Sequence, residues 1–217
     1  MSNEPKSAIP LPDGKSYAIV PHFPLGIVTP EDLRTIADVA EKYQLSTLKL
    51  TSAARIALVG LKKEQVNDAW KAIGKGPGGG GNSVRSLKAC PGVALCTRGK
   101  RDSLAMGEKL DTAFHRRSLP GKMKLGVSGC PFNCAQAPIK DIGLVGKKSD
   151  WTVLVGGNAG LKPRLADEVA AGLSDDDAYK TVDTLIAFYE KNSKSGERMG
   201  SMIDRIGLDA LKAAISD

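Results

Sequence analysis

At 217 residues, with 41% apolar residues and a net charge of +7, the chain is long enough for one large domain or two small ones with real cores. No run approaches the roughly 20 apolar residues that span a bilayer. The N-terminal stretch MSNEPKSAIPLPDGK lacks the apolar segment of a signal peptide. These features lead us to expect a cytoplasmic protein without a membrane span, in a compartment where thiols stay reduced.

In chain order, residues 1–15 read as a polar tail. Ser16–Pro21 and Leu25–Val28 are strand-like, and Thr29-Pro30-Glu31-Asp32 is a helix start with a cap, a proline and first-turn acids. Leu33, Ile36, Ala37 and Ala40 then recur on one helical face. Residues 45–50 and 56–59 alternate as strands, and Val66, Ala69, Trp70 and Ile73 mark a second helix. This β-α-β-β-α order over residues 16–74 predicts a ferredoxin-like layer, a sheet with helices on one face. Residues 75–83, within GKGPGGGGNS, are a linker that forms neither helix nor strand cheaply.

Residues 84–217 form the second domain. A helix is expected over Asp102–Arg116, with short strands at 122–127, 141–145 and 152–155. The tail reads as helical from Lys162, with Ser174 capping a helix that carries Ala178, Val182, Leu185, Ile186 and Tyr189. The fold class is therefore α+β.

The chain's four cysteines fall in two clusters, Cys90 and Cys96 in ACPGVALC and Cys130 and Cys134 in GCPFNC. Four soft thiolates drawn together imply an iron–sulfur or a zinc centre. Zinc knuckles usually place two to four residues between cysteines, so C-x5-C favours [4Fe–4S], with zinc open on spacing alone. Between Arg85 and Lys148 thirteen Lys or Arg face four Asp or Glu. Such a balance suggests a bound polyanion or a solvated basic face. Phe114 and Phe132 are the only aromatics there, so nucleic acid is not expected. A carboxylate-rich cofactor with an anionic substrate fits as well.

C-x5-C followed by G-C-P-x-x-C resembles the cluster motif of the sirohaem-containing sulfite and nitrite reductases. The likeness covers most of residues 16–165. Ser118-Leu119-Pro120-Gly121-Lys122-Met123-Lys124 is similar to the family's anion-contacting lysine segment, and Val84-Arg85 to its arginine before the first cysteine pair. Gly156-Gly157-Asn158 with Arg164 resembles the loop that holds sirohaem carboxylates. Leu48-Lys49-Leu50-Thr51, followed by Ser52, resembles the strand beneath the macrocycle, and Phe23-Pro24-Leu25-Gly26 a family turn. Two family arginines are replaced, by His22 and Ala53, with Arg55 as a nearby stand-in.

The resemblance implies a [4Fe–4S] cluster held by Cys90, Cys96, Cys130 and Cys134, with Cys134 bridging to sirohaem. It implies Arg85, Lys122, Lys124 and His22 at the anion, and Lys49, Thr51, Ser52, Arg55, Gly156, Gly157, Asn158 and Arg164 at the cofactor. A single copy carries both sets, as in the small sulfite reductases of anaerobic bacteria and archaea. The expected activity is six-electron reduction of sulfite to sulfide. Nitrite reduction, or a non-enzymatic iron–sulfur electron-transfer or sensor role, is the alternative. No flavin, nicotinamide or extra ferredoxin motif is present, so a small redox protein is the expected electron donor. A homodimer is one assembly open to the chain.

Overall fold

The computed structural model describes Pro5 and residues 7–216, the last by its backbone alone. The chain divides into two compact units, Met1–Gly78 and Gly79–Asp217.

In the first unit, residues 1–4 and 6 of the expected tail lie outside the described residues. Part of the rest is not tail: Ile9–Pro10 (β1) pairs antiparallel with Ser16–Ile19 (β2). Leu25–Val28 is not a strand either. Pro24–Gly26 forms a 3-10 turn with Leu25 at φ 57° and Gly26 at φ 78°, values incompatible with extended backbone. Helix α1 (Pro30–Lys42) starts at a capping box, with Asp32 N donating to Thr29 Oγ1 at 3.1 Å and Thr29 N to Asp32 Oδ2 at 2.9 Å.

Strands β3 (Thr47–Leu50) and β4 (Ile56–Lys62) and helix α2 (Val66–Ile73) complete the unit. The sheet order is β1-β2-β4-β3, antiparallel throughout. Tyr17 pairs with Leu61 but Ala18 with Val59, which leaves Gly60 as a bulge at φ 107°, a conformation that calls for glycine. Tyr17, Ile19, Leu58 and Leu61 from the sheet meet Ile36 and Val39 of α1 and Val66, Ala69 and Ile73 of α2. Leu33 lies at the margin of its helix face and is exposed.

The second unit contains β5 (Lys88–Ala89), α3 (Gly92–Leu95), α4 (Ser103–Phe114), β6 (Leu125–Ser128), β7 (Ile142–Gly146), β8 (Trp151–Val155) and β9 (Asp167–Leu173). Three helices follow, α5 (Asp175–Asn192), α6 (Met199–Ile206) and α7 (Leu208–Ser216). The sheet runs in chain order from β5 to β9, parallel through β7 and antiparallel beyond. Every residue of β6 and β7 is buried, as expected for parallel strands covered on both faces. Ser174 caps α5 by accepting from Asp177 N.

Two local expectations fail here. The tail is not helical from Lys162, because Asp167–Leu173 joins the sheet beside β8. Ladder hydrogen bonding at that edge outweighs the helix preference of its Ala and Glu residues. The strand expected from Lys122 begins three residues later, and Lys122–Lys124 instead runs beside Val84 and Arg85, with Arg85 N donating to Met123 O at 2.9 Å.

Candidate functional site

The two cysteine motifs meet because β5 and β6 are parallel neighbours. Cys90 follows β5, and its N–H donates to Val127 O at 3.1 Å; Cys130 lies two residues beyond the end of β6. Gly129 then ties the loops together. Its N–H donates to Cys90 Sγ at 3.1 Å, and its carbonyl accepts from Lys100 N (2.8 Å) and Arg101 N (3.0 Å). Ser103 Oγ donates to Cys90 O at 2.7 Å and lies 3.4 Å from the sulfur. The backbones touch here: a Cβ on Gly129 would lie 2.8 Å from Gly92 Cα, and one on Gly99 2.4 Å from the Gly92 carbonyl carbon. Only glycine allows that approach.

Cys90 and Cys130 are buried, Cys96 and Cys134 exposed, and all four are free thiols. The soft donors, the amide aimed at sulfur and the bare backbone around them fit an iron–sulfur cluster.

The same unit holds a cluster of cations around Arg85, Lys122, Lys124 and Arg198. Arg85 donates from Nη1 to Gly79 O (2.9 Å) and from Nη2 to Gly81 O (2.8 Å), while its buried Nε has no partner among the described residues. Burial, with Arg198 nearby, lowers its pKa. Lys122 is pushed down from the ordinary lysine range by burial, then by Lys124, Arg85 and Arg198. Lys124 is exposed, and its backbone N–H donates to Asp141 Oδ2 at 2.7 Å.

Asp141 is 1% exposed and organises the region. Arg198 grips it with two bonds, Nε to Oδ1 at 2.8 Å and Nη2 to Oδ2 at 2.6 Å, and extends Nη1 toward Asn158 Oδ1 at 3.4 Å. Burial pushes the Asp141 carboxyl up, and the Arg198 fork pulls it back. One buried carboxylate thus fixes both the lysine segment and the Gly156-Gly157-Asn158 loop. Gly157 lies against Pro138 and Lys140, where a Cβ would meet Pro138 O at 2.5 Å.

Arg164 differs from the other cations. It donates to Asp167 Oδ2 (2.7 Å), Asp204 Oδ1 (3.1 Å) and the carbonyls of Gly156 (3.3 Å) and Leu165 (3.1 Å). Two carboxylates already neutralise it, so it braces the loop from within.

Within the first unit, the remaining candidates gather around two turns. Thr51 N donates to Arg55 O (2.8 Å) and Arg55 N to Thr51 Oγ1 (3.2 Å), closing a turn with Ser52 exposed and Ala54 at φ 53°. The Pro24–Gly26 turn packs on it so closely that a Cβ on Gly26 would lie 2.8 Å from Ala54 Cβ. Arg55 lies against Gly78, and His22, half-buried, donates its N–H to Gly76 O at 2.9 Å. Lys49 sits on exposed edge strand β3 between Leu48 and Leu50. A cleft of about 300 Å³, lined by Phe23, Leu33, Leu50, Thr51, Ala54 and Arg55, separates these turns from α1.

Sequence reasoning missed Asp141, Arg198, Lys88 and Lys140. Lys-Asp beside a buried apolar run, in IKDIGLVG, was a usable signal, because a carboxylate there needs a partner. No local signal pointed to Arg198, which is 57 residues away from the group it holds.

Residues 80–217 match the nitrite and sulphite reductase 4Fe-4S domain, and residues 9–76 the nitrite/sulfite reductase ferredoxin-like half domain. The chain is 40% identical over 216 residues to an assimilatory-type sulfite reductase of Nitratidesulfovibrio vulgaris, covering 99% of both proteins. It is 34% identical to the nitrite reductase [NAD(P)H] of Bacillus subtilis over 93% of this chain, but spans only 25% of that protein. Among solved structures it resembles dissimilatory sulfite reductase I, with a TM-score of 0.81 at 14% identity over 93% of this chain and 69% of that one. That likeness shows the fold. Sirohaem and a [4Fe–4S] cluster are the family's cofactors. With both domains matched in chain order over nearly the whole sequence, the chain belongs to the nitrite and sulphite reductase family.

Proposed function

We propose that the chain is a cytoplasmic sulfite reductase that converts sulfite to sulfide by six-electron reduction, with electrons from a small redox protein. The observation that carries this reading is the mutually close set of Arg85, Lys122, Lys124, Lys88 and Lys140 in the domain that bears the cysteines, where the buried Asp141 is already held by Arg198. A pure electron carrier has no need of so many cations without counter-ions, whereas an anionic substrate and a carboxylate-bearing macrocycle do.

Cys90, Cys96, Cys130 and Cys134 are the residues that would hold the cluster, and Cys134 would also serve to link it to the sirohaem. Gly156, Gly157 and Asn158 would cradle the macrocycle, together with Lys49, Thr51, Ser52 and Arg55. When bound, the linked centre supplies electrons singly and an iron atom for the anion. The chain's own contribution is electrostatic and acid–base. Lys122 and Lys124 bind the anion, and Arg85, steadied by Gly79 and Gly81, adds a fixed charge. Each S–O cleavage consumes protons as oxygen leaves in water. Lys122 Nζ, its pKa lowered by burial, gives up a proton more readily than an ordinary lysine. Arg164, bound by two carboxylates, acts on loop shape. His22 and Arg55 are proposed as the cations that stand in for the missing arginines.

The test is direct. Purified protein should show tetrapyrrole bands in the visible spectrum, and should oxidise reduced methyl viologen on addition of sulfite, with sulfide formed. An iron–sulfur shoulder alone, without sulfide formation, would overturn the proposal. The likeness to nitrite reductases favours nitrite as the second reading, and kcat/KM for the two anions decides between them.

A further inference from the structure

Lys88 and Lys140 converge on a single neutral acceptor. Lys88 Nζ donates to Gln136 Oε1 at 3.2 Å, and Lys140 Nζ donates to the same atom at 3.4 Å. Among the described residues neither ammonium is paired with a carboxylate. Asp141, the acid that acts on Lys140, has its oxygens taken by Arg198 and by Lys124 N. Two like charges on one amide oxygen repel each other, and an anion between them would relieve the cost.

The fold builds this arrangement deliberately. Lys88 sits on β5 directly opposite Gly126 of β6. The stem of Lys140 lies over the same glycine, with Cγ 2.8 Å from where a Cβ would be. Gln136, which both lysines share, is two residues past Cys134 in the chain. Lys140 is half-buried, and burial, then Lys88 and Lys124, push it down to about 8 although Asp141 pulls the other way. It is a strained cation, poised to gain from a negative partner.

We propose that Lys88 and Lys140 form an anion subsite, separate from Lys122 and Lys124, that takes a carboxylate or oxyanion group. Gln136 sets the spacing of the two ammoniums in its absence. Two sources supply that chemistry: a side-chain carboxylate of the macrocycle, and free substrate. Only the choice between them rests on the sulfite reductase reading.

The experiment compares the holoenzyme with Lys88→Met/Lys140→Met and with Gln136→Glu. The second variant keeps both lysines but supplies a carboxylate that occupies them. Two quantities are read, the rate at which macrocycle absorbance is lost on dilution and gel filtration, and the sulfite Kd from spectral titration. Macrocycle loss about tenfold faster in both variants, with sulfite Kd unchanged, assigns the subsite to a cofactor carboxylate. A sulfite Kd raised about tenfold, with retention unchanged, assigns it to the substrate. Wild-type retention and Kd in both variants overturn the subsite. A wild-type protein that carries no macrocycle would defeat the functional reading but not this one. Calorimetry of the apoprotein with citrate then decides, with about tenfold weaker binding in the variants expected and equal binding overturning it. Gln136→Glu also covers the case in which the double variant does not fold.

Discussion

Two sets of basic side chains lie in the second unit, and they differ in what they touch. Arg198 and Arg164 end on carboxylates, Asp141 for one and Asp167 with Asp204 for the other. Among the described residues, Arg85 ends on carbonyls, Lys88 and Lys140 on an amide oxygen, and none of these or of Lys122 and Lys124 ends on a carboxylate. Net charge does not separate the sets; counter-ions do. A cation with an internal carboxylate has its field cancelled and serves the fold, while one without presents that field to a ligand. The cysteines divide similarly, since Cys90 is woven into backbone hydrogen bonds and Cys134 is exposed.

The sharpest break should come from the cysteines. Cys134→Ser should reduce sulfide production to background while leaving the thermal midpoint nearly unchanged. Cys90→Ser should lower both, because it disturbs the Gly129 bond and the glycine packing. Equal midpoints for the two variants would remove the distinction. Next in size is the buried pair. Asp141→Asn leaves Arg198 without its counter-ion and should cost about 3 kcal/mol in urea unfolding. Arg164→Met should cost about 1 kcal/mol or less, since Asp167 and Asp204 are largely exposed and solvent screens them. A larger loss for Arg164 would reverse the order.

The ligand-facing set should respond in the opposite way. Lys122→Ala and Lys124→Ala should each leave unfolding free energy within about 0.5 kcal/mol of wild type. Each should nevertheless lower kcat/KM for sulfite about tenfold. Normal turnover in both would make them surface charge. The smallest effect is on pH dependence. Lys140 titrates near 8 in the folded state and near the ordinary lysine value when unfolded. Between those values the unfolded chain binds more protons, so stability of the apoprotein should rise with pH from about 8 upward. Anion binding should fall over the same window, because the charged form binds. Lys88 and Lys124 oppose the charged form of Lys140, and Asp141 supports it. Lys140→Met should flatten both trends, as read by urea unfolding and anion titration at a series of pH values.

Much of this was legible before any coordinates. The capping box at Thr29 and the Ser174 cap act within a few residues, so their signals are local. The spacing of the cysteines and the buried apolar runs of β6 and β7 carried the metal-centre expectation and the strands of the second unit. The signal failed where partners are distant. Asp167–Leu173 became a strand because β8 offered an edge, and Leu25–Val28 a turn because Ala54 packs beneath Gly26.

The sequence alone determined the motif set, the two-domain order and the excess of positive charge, since composition and short-range spacing suffice for these. Tertiary structure alone decided which cations meet carboxylates. Arg164 and Arg198 look no different in sequence from Arg85, yet the carboxylates that claim Arg198 and part of Arg164 come from 57 and 40 residues away. Electrostatic role depends on the distance between charges in space, and only the folded chain sets that distance.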